Sequence, residues 1–145
     1  MKSPRIRPLA LAIVRDGGCL LVFEGRDPIK PETFYRPLGG GIEFGERGAD
    51  AVAREMREEI GAEVANVRYL GTIENLFHHM GEDGHEICLM YEADLVDRSL
   101  YGRRAIEGID PGEPLLALWK PLTDFGPGRH PLYPDGLLEF LAARP

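Results

Sequence analysis

Apolar residues along this chain fall into short runs whose spacing switches between that of strands and that of helices. Residues 8–15 (PLALAIVR) and 19–24 (CLLVFE) are of strand length, and Asp16-Gly17-Gly18 between them supplies the positive φ of a tight turn, which predicts a first hairpin. Residues 25–33, with Pro28 and Pro31, read as a surface loop, and 34–37 as an extended piece leading into Leu38-Gly39-Gly40-Gly41. Three successive glycines serve either a close backbone approach or a sharp reversal. From about 48 to 60, Ala49, Val52, Ala53, Met56 and Ile60 recur at helical spacing as one core-facing stripe, with Gly61 as its stop.

Residues 64–74 and 85–95 read as strands, with the turn signal Gly81-Glu82-Asp83-Gly84 between them. In the later one Ile87, Leu89 and Tyr91 alternate with Cys88 and Met90, so both faces are apolar, as in a central strand covered on both sides. Glu86 falls on the Cys88 and Met90 face, where a carboxylate needs a partner. Residues 97–114 are long, polar and glycine-containing, which predicts a functional loop. Residues 115–120 (LLALWK) form a further strand ended by Pro121, and 135–143 (DGLLEFLAA) a short amphipathic helix. Strands around one central helix, with another helix at the end, predict an α/β sandwich with a mixed β-sheet.

The 145 residues suit one domain, 1–145, with a full core. No apolar run reaches the roughly eighteen residues of a membrane span, and the start lacks a small-residue cleavage site, so a cytoplasmic protein is expected. A net charge of −7 gives no diffuse attraction to nucleic acid or anionic lipid; a polyanionic partner would need a bridging cation. Cys19 and Cys88 sit in apolar strand patterns without zinc spacing, and are expected to be buried free thiols, with a disulfide as the alternative.

Residues 40–62, GGIEFGERGADAVAREMREEIGA, change the picture. Glu55 has Glu58 and Glu59 as helical neighbours, so three carboxylates crowd one face. Like charges about 4 Å apart repel by roughly 4 kcal/mol at an effective dielectric near 20, and a cation would relieve them. Arg54 can reach Asp50 or Glu58, four residues away on either side, and so hold an acid in place.

Gly40, Glu46 and Arg54-Glu55-Met56-Arg57-Glu58-Glu59-Ile60-Gly61 stand at the spacing of the signature box of the Nudix hydrolases, and the stretch resembles that box at every charged and glycine position. Two departures are Ala62, where the family has a larger aliphatic residue, and Pro37, one position early before Leu38-Gly39-Gly40. The resemblance implies a Nudix-type α/β/α sandwich (MutT-like) that hydrolyses a diphosphate linkage in a small nucleotide, using Mg²⁺, with Mn²⁺ as a substitute. It implies Glu55, Glu58 and Glu59 as metal ligands, the Gly39 carbonyl as a further ligand, Arg54 as the residue orienting an acid, and Glu46 as a supporting carboxylate. Independently, Mg²⁺ takes carboxylate and carbonyl oxygens, which such a helix face and glycine loop provide.

The general base stays open among Glu55, Glu86, Glu107 and Glu113; Glu113, in the late polar stretch six residues before Trp119, resembles the late-loop acid of some family members. Arg36 fits a phosphate contact, since a guanidinium matches phosphate oxygens bidentately. Phe77, with His78, His79 and His85, suits a base or phosphate contact, though a hairpin with surface histidines has the same pattern. Trp119 reads as core. The substrate pocket is expected from residues 97–114 and the segment around Phe77. A nucleotide-binding Nudix module without hydrolysis, and a hydrolase of an isoprenoid or RNA 5′-terminal diphosphate, are the alternatives; the missing basic stripe argues against RNA. The family resemblance also leaves a homodimer open.

Overall fold

Every residue from Leu9 to Val14 is buried, and alternate side chains enter opposite cores. Ala10, Ala12 and Val14 join one cluster, and Leu9, Leu11 and Ile13 the other. A strand apolar on both faces needs a layer on each side, and this architecture supplies both. It is seen in a computed structural model describing residues 4–29 and 31–144.

The chain runs β1 (Ile6–Ile13), β2 (Arg15–Asp16), β3 (Cys19–Asp27), β4 (Glu32–Pro37), β5 (Gly39–Gly41), α1 (Gly48–Ile60), β6 (Val64–His79), β7 (Glu82–Leu95), β8 (Ala105–Asp110), β9 (Glu113–Pro121) and α2 (Leu137–Ala142). One sheet has the order β5-β1-β7-β6 and is mixed, because β1 and β7 are parallel while the other pairs are antiparallel. The second, β2-β3-β9-β8 with β4 also on β3, is antiparallel. Helix α1 supplies Ala51, Val52 and Met56 to one core, and α2 supplies Leu137 and Leu141 to the other. The result is the predicted α/β sandwich with a mixed sheet. β7 is the expected central strand, with Cys88 and Met90 in one core and Tyr91, Ala93 and Leu95 in the other.

Several expectations are corrected. The first hairpin is reduced to its tip, Arg15 opposite Leu20 and Asp16 opposite Cys19, because the chain changes sheets at Val14. The loop at 25–33 is mostly strand, with β3 and β4 paired from Val22–Pro37 out to Asp27–Glu32. The triple glycine is itself a strand, β5, laid against β1. Residues 97–114 are not a loop: after a turn of 3₁₀ helix at Arg98–Leu100 they enter the β8–β9 hairpin. Only Ile106 of β8 is fully buried, so the strand lacks an apolar run. Gly108 stands where a side chain would collide with the Glu59 carbonyl at the end of α1. The strand at 64–74 continues to His79 and its partner starts at Glu82.

In α1 the buried residues are Ala51, Val52, Met56 and Glu59, so one acid of the trio turns inward. Gly61 ends the helix in the left-handed conformation, as read from sequence. Trp119 stacks on Tyr101 and donates Nε1–H to the Leu100 carbonyl, a packing role. Both cysteines are free, Cys88 buried and Cys19 partly so. No helix among the described residues is long and apolar enough to cross a membrane.

Candidate active site

Arg54 organises the N-terminal half of the site. Its Nε and Nη2 donate to the two oxygens of Glu46 at 2.8 and 2.9 Å, and Nη2 also donates to the Gly41 carbonyl at 2.9 Å. Nη1 donates to Glu55 at 2.9 Å and to Glu58 at 3.2 Å. The acids Arg54 holds are thus Glu46, Glu55 and Glu58, rather than Asp50. Glu46 also receives the Glu43 N–H, and these bonds, the Arg54 bond foremost, hold its carboxyl down to about 2.

Glu59 points the other way. It is 4% exposed and accepts the Gly39 N–H at 3.0 Å. Burial pushes its carboxyl up to about 8 against the pull of that N–H, with Glu55 and Asp110 adding repulsion. Glu55 is raised as well, first by burial, with Glu58 and Asp110 contributing and Arg54 opposing. These acids line a cleft of about 290 Å³ with Gly39, Gly40, Gly41, Glu86, Asp110, Arg7 and Arg36.

The residues present fit a divalent cation. The donors are all oxygen, the kind Mg²⁺ takes. A Cβ on Gly40 would come within 2.6 Å of the Glu55 carboxyl, so only glycine lets that carboxylate lie across the strand. The upward shifts of Glu55 and Glu59 come first from burial, with neighbouring carboxylates adding to them, and a bound cation would offset both. Among the described residues no three acid, histidine or cysteine side chains form a ready-made cage, because Glu55 and Glu58 face Arg54 while Glu59 faces Gly39.

The other sequence-predicted residues divide. Glu86 lines the cleft, 3% exposed. Glu107 is exposed on β8. Glu113, exposed at the start of β9, does not line the cleft; its partner across the hairpin turn, Asp110, does. Sequence reasoning missed Asp110 because it treated 97–114 as a loop. The overlooked signal was Asp110-Pro111-Gly112, a turn tripeptide that implies a hairpin end.

A second cavity, of about 330 Å³, adjoins the first and shares Phe23 and Arg36 with it. Phe34, Phe77, His78, His79 and Tyr133 give it aromatic walls, and Asp27, Glu32, Asn75 and Asp135 polar ones. Phe34 lies against Gly25 and Phe77 against Gly84, each aromatic covering the glycine opposite it in the neighbouring strand. Phe34 also contacts His79 edge-on and the Tyr133 ring. This pocket includes Phe77 as expected, but its other walls come from Asp27, Glu32 and Phe34 and from Tyr133 and Asp135, not from residues 97–114. His85 stands outside it, paired with Glu74 at 3.4 Å.

An acid cleft over the later turns of a single helix, joined to an aromatic pocket lined from both sheets, is the site that this α/β sandwich presents. The NUDIX domain family model matches residues 5–137, and the chain belongs to the Nudix hydrolase family. It is 45% identical over 69 residues to the NAD-capped RNA hydrolase NudC of Mycobacterium bovis (strain BCG / Pasteur 1173P2), covering 48% of this chain and 22% of that protein. It is 38% identical over 76 residues to the NAD-capped RNA hydrolase NudC of Pseudomonas aeruginosa (strain LESB58), covering 52% of this chain and 27% of that one. The chain thus spans about a quarter of the length of these relatives. Its fold is similar to the MutT Nudix hydrolase from Burkholderia pseudomallei, with a TM-score of 0.68 at 19% identity over 94% of this chain and 97% of that one.

Proposed function

We propose that this chain is a Mg²⁺-dependent pyrophosphohydrolase that cleaves a diphosphate linkage in a small nucleotide. The observation that carries the reading is the junction of the acid cleft and the aromatic pocket at Phe23 and Arg36. A nucleotide has the matching shape: a ring for the pocket and a diphosphate for the cleft, a few ångströms apart.

In this reading Glu55, Glu58 and Glu59 hold the metal with the Gly39 carbonyl. When bound, the ion neutralises charge developing on the phosphates and activates a water. The chain's own residues do the rest. Arg54, fixed by Glu46 and the Gly41 carbonyl, sets the position of Glu55 and Glu58. Asp110, facing Glu55 and Glu59 from the β8–β9 turn, accepts the proton of the attacking water. Phe34 and Phe77 enclose the ring, and Arg36 meets a phosphate at the junction.

The NudC relatives are named for hydrolysis of NAD-capped RNA, which places a dinucleotide diphosphate first among substrates to assay. The net charge of −7 argues against an RNA body as the main partner. A binding module without hydrolysis would not need the whole acidic set with its Arg54 support. The test is a chromatographic assay of product formation over nucleoside triphosphates, NAD and other nucleoside diphosphate conjugates, with a triphosphorylated and an NAD-capped RNA, at graded Mg²⁺ and Mn²⁺. Metal-dependent release of mononucleotide from a small member is expected; no turnover of any small nucleotide sinks the reading.

A further inference from the structure

We propose that Glu86 is a positioning residue that holds Arg7 and Arg36 as a paired guanidinium clamp for the substrate's phosphates, an inference resting on the diphosphate reading above. Three adjacent strands place Arg7 of β1, Glu86 of β7 and Asn75 of β6 in one row across the sheet, each directly opposite the next. Arg36 reaches the same carboxylate from β4 of the other sheet. Glu86 Oε1 accepts Arg36 Nη2 at 3.4 Å and Asn75 Nδ2 at 3.3 Å, while Oε2 lies 4.0 Å from Arg7 Nη1.

A carboxylate 3% exposed is costly unless paired, and this one has two guanidinium groups and an amide. Oε1 accepts two side-chain donors and Oε2 has the Arg7 charge at 4.0 Å, which suits an anchor better than a base. The arginines are less committed. Their side chains are 55% and 20% exposed, and each guanidinium carries five N–H donors, of which Glu86 takes few. They are the only basic residues lining the acid cleft among those described. A diphosphate entering beside Glu55, Glu58, Glu59 and Asp110 meets strong repulsion, and the clamp supplies opposite charge from the protein itself. Asn75 extends the row to the aromatic pocket, which it also lines. Its amide donates where a carboxylate would repel Glu86, so ring binding and phosphate binding share one buried network.

The test measures ADP affinity in Mg²⁺ by calorimetry, and kcat and KM on the best nucleotide found, for wild type, Glu86→Gln, Glu86→Asp, Arg7→Gln and Arg36→Gln. Each Gln variant is expected to weaken ADP binding about tenfold or more. KM should rise in parallel with kcat within about threefold, Glu86→Asp should recover part of the loss, and Arg7→Gln/Glu86→Gln should be no worse than the weaker single variant. A large loss of kcat at unchanged KM in Glu86→Gln would make Glu86 a chemical participant and overturn the clamp. So would unchanged ADP affinity in the variants, or a wild type that binds neither ADP nor pyrophosphate. Should Glu86→Gln fail to fold, the half-exposed Arg7→Gln decides alone: normal ADP affinity there overturns the proposal. A clamp effect on ADP binding without turnover by wild type removes the hydrolase reading and leaves the clamp; turnover without a clamp effect does the reverse.

Discussion

Arg54 grips Glu46 through two parallel hydrogen bonds, Nε to Oε2 and Nη2 to Oε1, across the turn that joins β5 to α1. That fork is bidentate, and a lysine at 54 could make only one of its contacts while releasing Gly41 or Glu55. Arg54→Lys is expected to lower kcat by about a hundredfold, because catalytic acids displaced by about 1 Å lose that much. The pair also sets an acid limit. Glu46 is held down to about 2 from 4.5, so its contribution is fully present above 4.5 and is lost as pH falls toward 2. Thermal melts of wild type and Glu46→Gln should differ at pH 6 and converge near pH 2; a gap independent of pH would contradict the pairing.

Glu59 gives the opposite pH dependence. Its carboxyl is raised from 4.5 to about 8, so between those values the folded state keeps a proton that the unfolded state releases. Stability therefore falls as pH rises through that window, the penalty being absent below 4.5 and complete above 8. In chelator, Glu59→Gln should melt with wild type near pH 4.5 and several degrees above it at pH 8.5. Mg²⁺ added at pH 8.5 should raise the wild-type melting temperature more than that of the variant. Equal slopes of melting temperature against pH for the two proteins would remove Glu59 as the source.

Glu58 separates chemistry from folding. It is 57% exposed, and among the described residues its side chain accepts only the 3.2 Å hydrogen bond from Arg54, so its removal disturbs little structure. Glu58→Gln is expected to shift the melting temperature by no more than about 2 °C. Mg²⁺-dependent turnover should drop about a thousandfold or more, as expected when a ligand to a charge-neutralising metal is lost. Retained turnover would take Glu58 out of the metal site.

The sequence made the helix legible because its signals are local: apolar spacing, the Gly61 stop and the box positions all lie within 23 residues. Even there it misplaced Glu59, since an acid buried against the Gly39 N–H contradicts the usual rule that carboxylates face water. β7 was legible as central because both its faces are apolar. β8 was not, because Gly108 and the exposed Glu107 and Ile109 erase the alternation that marks a strand. The aromatic pocket was only half visible. It is built from β3, β4, β6 and the segment before α2, which are distant in sequence and meet only when two sheets close on each other.

That misread hairpin leads to the sharpest contrast between neighbours. Asp110 and Glu113 face each other across the Pro111-Gly112 turn, yet only Asp110 lines the cleft and presses on Glu55 and Glu59. β8 is pinned against the end of α1 by the close approach at Gly108, so the turn cannot slide to bring Glu113 inward without separating the two elements. Asp110→Asn is therefore expected to lower kcat by about two orders of magnitude, the usual worth of a positioned base, while Glu113→Gln stays within about twofold of wild type. Gly108→Ala should reproduce the loss indirectly, since a methyl group would push β8 off the Glu59 carbonyl and carry Asp110 with it. A large defect in Glu113→Gln beside a normal Asp110→Asn would return the late-chain base to Glu113.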